Sequence, residues 1–181
     1  MTGPASSFRR CRGQSLLEFT FVGIPLMFVL VSIFEISRGM WMYHTLSYAV
    51  KEGVRYAIVH GQNCDPTFGG NACQVKMGPA STAGTVASVI RQAGVGLDLK
   101  TTMLTFTAAG TASAPCSLDA TTTPCPATVW PPQSRNGVGQ TIQIDVTTPF
   151  RSAIALFWPG AKPVQFGAVN LGASSSDNIQ F

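Results

Sequence analysis

The sequence predicts an α+β protein: one long N-terminal transmembrane helix, then a small antiparallel sheet domain with one packed helix. Three observations carry that expectation. An uncharged run extends from Phe19 to Phe34, apolar residues keep helical spacing well past it, and two later stretches alternate apolar and polar residues as strands do.

The apolar run sets the architecture. With Ser15 to Glu18 before it and Glu35 to Tyr43 after it, the helical stretch exceeds the roughly 20 residues that cross about 30 Å of hydrocarbon. A secretory signal peptide shares the basic start formed by Arg9, Arg10 and Arg12, but its apolar core is only about 7 to 15 residues and a small-residue cleavage site follows. Here Ile36 to Tyr43 contains Arg38, Trp41 and Tyr43. The segment is therefore an uncleaved anchor, with its membrane part over residues 15–37. The arginines hold the N-terminus in the cytoplasm and send the rest across the membrane. Arg38, Lys51 and Arg55 beyond the run reduce that asymmetry. Glu18 lies where hydrocarbon begins, a costly place for a carboxylate. Pro25 removes one backbone donor, and both an ordinary kinked anchor and a functional local melt remain open.

Beyond the membrane the helix continues. Ile36, Met40, Tyr43, Ser47, Val50, Val54 and Ala57 recur at helical spacing, while Arg38, Thr45, Lys51, Glu52 and Arg55 take other faces. One helix over residues 14–60, about 68 Å long, follows from a rise of 1.5 Å per residue. Ala49 and Ala57 share a face with Gly53 and favour close packing there. Glu35 and Arg38, one turn apart, either pair or mark the membrane boundary.

Residues 61–181 form the exterior domain. Gly, Asn, Pro and Cys after His60 mark a loop. A second helix is expected from Ser81 or Thr82: Val86, Val89, Ile90 and Ala93 make an apolar stripe, Arg91 falls in the last turn and Gly94 supplies the stop. Strands are expected over Leu104 to Ala108, Ile142 to Thr147 and Val164 to Leu171. The Pro/Thr/Ala-rich segment Gly110 to Gly137 is long enough to suggest an exposed contact loop. Ser152 to Trp158 is too short an apolar patch to span a bilayer. It either packs in the core or touches a membrane or neighbouring subunit.

Cysteine placement agrees with this topology. Cys11 lies in the basic leader, and the other four follow the helix as two equally spaced pairs, Cys64 with Cys73 and Cys116 with Cys125. Such a set reads as disulfides in an oxidising compartment, with local pairing favoured among the three connectivities possible. Zinc needs tighter Cys or His clusters than these. The net charge of +4 arises partly in the leader, and no basic face interleaved with aromatics suggests nucleic acid. No phosphate loop, Gly-x-Ser-x-Gly elbow or metal-ligand cluster suggests an enzyme, and no cofactor is expected.

The junction Gly13-Gln14 with Glu18-Phe19 resembles a type IV prepilin processing site. Together with Pro25, Glu35-x-x-Arg38 and Lys51-Glu52-Gly53-Val54-Arg55-Tyr56-Ala57, it resembles the TadE-like minor pilins or pseudopilins of tight adherence (Tad/Flp) pili. The later pattern of a strand ending in Pro149-Phe150, an apolar segment and a final strand is similar too. Lys51 for the usual Arg and the cysteine-stapled insert depart from it. The resemblance implies a pilin-like fold and a leader over residues 1–13 removed by a prepilin peptidase after Gly13. It implies assembly through Glu18, Phe19 and Pro25, with Glu35, Arg38, Lys51, Glu52, Gly53 and Arg55 as candidates for docking the exterior domain, although Glu52 and Arg55 also suit a plain solvated face. Implied partners are other pilins, the peptidase and an inner-membrane assembly platform, at the cytoplasmic membrane or in a surface pilus. A single-pass, membrane-tethered adhesion module is the alternative.

Overall fold

The computed structural model describes residues 14–60, 75–119, 121–152 and 168–180. Helix α1 (Gln14–Ile58) is unbroken through Pro25. In its first half the apolar side chains face outward, and it is the one helix among the described residues long and apolar enough to cross a membrane. Its hydroxyls turn back onto the helix: Thr20 donates to Leu17 O, Ser32 to Phe28 O and Ser37 to Ile33 O, at 2.8 to 2.9 Å. A hydroxyl satisfied this way does not stand bare in hydrocarbon.

The second half of α1 is a core element. Leu46, Ala49, Val50, Val54, Ala57 and Ile58 are buried. Of the apolar stripe expected from the sequence, Val50, Val54 and Ala57 enter the core, whereas Ile36, Met40 and Tyr43 are 63%, 56% and 47% exposed. The buried face is turned toward Ala49 and Gly53, where the lack of bulk lets the second helix approach.

Helix α2 (Val86–Ala93) starts later than expected. Gly84 has φ +78° and Thr85 is extended, so the chain turns before the helix begins. Thr85 and Ser88 then form a reciprocal cap at 3.1 and 3.2 Å. The buried first-turn amides of Val86 and Ala87 donate to the carbonyls of Lys76 and Met77, which satisfies donors the helix itself cannot. Gly94 closes the helix as its sequence suggests, donating to Ile90 O at 2.8 Å.

The sheet is antiparallel, in the order β2-β1-β4-β5, with β3 also pairing β1. Its strands are β1 (Met103–Ala108), β2 (Thr111–Ala112), β3 (Cys116–Ser117), β4 (Thr141–Arg151) and β5 (Ala168–Asn178). Leu104, Phe106, Ile142, Ile144 and Val146 point inward, as the alternation requires, toward α1 and α2. The opposite face is polar, and Gln143 bridges Asp145 (2.8 Å) and Ser174 (3.1 Å) across β4 and β5. The final strand extends beyond its expected end at Leu171. It reaches Asn178 through Ser174-Ser175-Ser176-Asp177, residues of low strand propensity held by continuous pairing with β4. Residues 164–167 of the expected strand lie outside the described residues, as do 153–158 of the apolar patch.

The segment Gly110 to Gly137 departs from a purely exposed loop. Cys116 and Cys125 form a disulfide, and Cys116, Leu118, Cys125 and Trp130 are buried. Trp130 meets Phe106 edge-on, with ring centroids 5.1 Å apart. Thr121 to Pro124 remain exposed. Cys64 and Cys73 lie outside the described residues.

Candidate assembly helix and its junction with the sheet

The candidate site is α1 itself, in two parts. At its start Glu18 and Phe19 are exposed, the latter by 74%. Gly23 leaves a shallow apolar groove, where Phe19 and Met27 flank the missing side chain. A methyl group added at Gly23 would meet Phe19 at 3.8 Å, an ordinary contact. Pro25 denies Phe21 its helical donor, yet the helix continues past it. Gly13 and the side chain of Gln14 lie outside the described residues.

The other part is a junction near the end of the apolar run. Glu35 and Arg38 form an ion pair at 3.5 Å. The Arg38 guanidinium lies 4.9 Å from the centroid of Phe150 and donates to Arg151 O. Gly39 gives the Phe150 ring room: a methyl added there would stand 3.6 Å from it. The Glu35-x-x-Arg38 pattern and the Pro149-Phe150 strand end, far apart in the chain, thus meet at one place. Sequence reading treated them separately because only the β4 register against α1 brings them together.

Farther along α1, the candidate docking residues divide. Gly53 faces Ile90, whose Cγ1 would lie 2.5 Å from a Cβ at this position. Lys51 and Arg55 face solvent. Glu52 and Arg55 pair with each other at 3.1 Å rather than with the sheet domain. Two contacts have no counterpart among the sequence expectations: Tyr56 donates to Gly84 O at 3.3 Å, and Trp41 packs on the turn at Gly96. Gly96, at φ +84°, was the available signal for that turn.

Among the described residues no cluster of three His, Cys, Asp or Glu side chains is placed to hold a metal. The chemistry available is that of association: an apolar rod with one carboxylate near its start, tied to a folded domain.

Residues 13–55 match the TadE-like protein family. TadE-like proteins are Tad pilus-associated and structural rather than catalytic. The TadE-like match covers nearly all of α1, including Glu18, Pro25, the Glu35–Arg38 pair and Gly53, and ends before the sheet domain. No curated protein and no solved structure matches the chain.

Proposed function

We propose that this chain is a minor pilin or pseudopilin that helps assemble or prime a Tad-type type IV pilus. The observation that carries the reading is the TadE-like match over a helix whose first half exposes an apolar surface of membrane-spanning length. A prepilin peptidase cuts after Gly13, leaving Gln14 as the new N-terminus. The arginines of the leader stay cytoplasmic, and the Cys116–Cys125 bond supports placing the sheet domain in an oxidising compartment. Glu18 then neutralises the new amine of a neighbouring subunit in hydrocarbon, where an unpaired charge is strongly disfavoured. Other pilins and the inner-membrane assembly platform are its partners.

Intact-mass and N-terminal analysis of protein extracted from membranes tests the processing step. A chain beginning at Gln14 is expected, and Gly13→Leu should block cleavage. Retention of the leader in cells that contain a prepilin peptidase would defeat the reading. Glu18→Leu should leave insertion and the exterior domain's unfolding midpoint unchanged while abolishing co-purification with other pilins. Normal partner recovery would remove the assembly role from Glu18.

A further inference from the structure

We propose that the membrane-proximal end of the exterior domain is seated in the lipid headgroup layer, so that the domain as well as the helix contacts the bilayer. This rests on the membrane reading of α1.

The sheet domain returns to the place where the helix leaves hydrocarbon. Residues 15–37 of α1 rise about 34 Å, which covers a hydrocarbon core of about 30 Å. The headgroup region extends the bilayer to about 40–45 Å in all, so it occupies roughly the next turn of helix. That turn is where the domain lies. Phe150 packs on Arg38 and Gly39, and the turn at Gly96 packs on Trp41, whose side chain leans back along the helix toward the membrane.

This end of the domain has an interfacial surface. An open apolar pocket is lined by Ile36, Gly39, Met40, Tyr43 and Phe150, continuous with the exposed apolar side chains of the membrane run. Val95, beside Gly96 and not part of α1, is 68% exposed. Arg151, beside Phe150, is exposed at this end and matches lipid phosphate, while Trp41 and Tyr43 are of the type enriched at membrane interfaces. Asp98 is the nearby exposed acid, and Glu35 is paired with Arg38. Val138 makes the contrast. It is 57% exposed at the distal end of the domain, where the neighbouring Gly139 bonds Ile179 and Gln180 bonds the last residue of α1. Two exposed valines at opposite ends of the domain thus give a membrane-facing position and a control.

The test uses the full chain in vesicles of phosphatidylethanolamine and phosphatidylglycerol, with a benzophenone side chain replacing Phe28, Val95 or Val138 in turn. After irradiation, intact mass reports lipid adducts. Adducts at 28 and 95 but not at 138 are expected. An adduct at 28 alone overturns the seating while leaving the membrane helix standing. No adduct at 28 means that the membrane reading itself has failed. Crosslinks from 95 to protein instead of lipid, or lipid adducts of equal yield at 95 and 138, also overturn the proposal.

Discussion

Leu30 and Leu46 are the same residue in one unbroken helix, yet Leu30 is 44% exposed and Leu46 is fully buried. Neither helix propensity nor composition separates them. What differs is the partner: α2 and the sheet cover the second half of α1, whereas the first half presents its side chains to whatever surrounds it. A single helix thus combines an exposed apolar rod of membrane-spanning length with a core element, and identical chemistry has opposite consequences along its length.

Side-chain truncation tests this contrast with the largest expected effect. Leu46→Ala should destabilise the exterior domain by about 2–5 kcal/mol, the range for a buried leucine whose cavity cannot fully collapse. Denaturant unfolding in detergent micelles, followed by tryptophan fluorescence in a variant that keeps only Trp130, reads this loss. Leu30→Ala should shift the same transition by less than about 0.5 kcal/mol. Comparable losses would mean that the two halves are not energetically distinct.

The glycines give a smaller version of the comparison. Gly53→Ala should cost about 1–3 kcal/mol through overpacking, because its Cβ would stand 2.5 Å from Ile90 Cγ1. A second substitution, Ile90→Ala, should make the pair non-additive by relieving that collision. Gly23→Ala, with Phe19 at 3.8 Å, should leave domain stability unchanged. Additivity at Gly53 would show that α2 is free to shift.

A smaller loss than at Leu46 or Gly53 is expected at the junction. Arg38→Gln removes a partly exposed ion pair and a cation–π contact, together about 0.5–1 kcal/mol. A loss exceeding that of Gly53→Ala would mean that charge rather than packing holds the sheet's end to α1.

Much of the fold was legible where local pattern and tertiary demand agree. The alternation of Ile142, Ile144 and Val146 gives the central strand, and the Gly94 stop gives the end of α2. Legibility failed where a distant partner decides. The serines of β5 become strand only because β4 offers a complete ladder. The buried face of α1 turns away from Ile36, Met40 and Tyr43 because α2 seats on Gly53, a contact that periodicity cannot weigh. Trp130 looked like part of a long loop until Phe106 provided its partner. In the candidate site, Glu35 and Arg38 were recognisable as a pair, but Phe150 became their neighbour only through the β4 register.

That register also acts as a length gauge. Strand β4 runs back along α1 from the level of Ile58 to that of Arg38, and the 11 residues of the strand measure out about the same distance as the helix between those points, roughly 30–37 Å at the two rises per residue. Inserting two residues into β4 would advance Phe150 by about 7 Å toward the start of α1, past Arg38 and Gly39, which receive its ring. The strand's length is thereby matched to the stretch of α1 that the sheet covers, and variants of this domain should tolerate changes in the loops at its distal end far more readily than a change in the count of residues along β4.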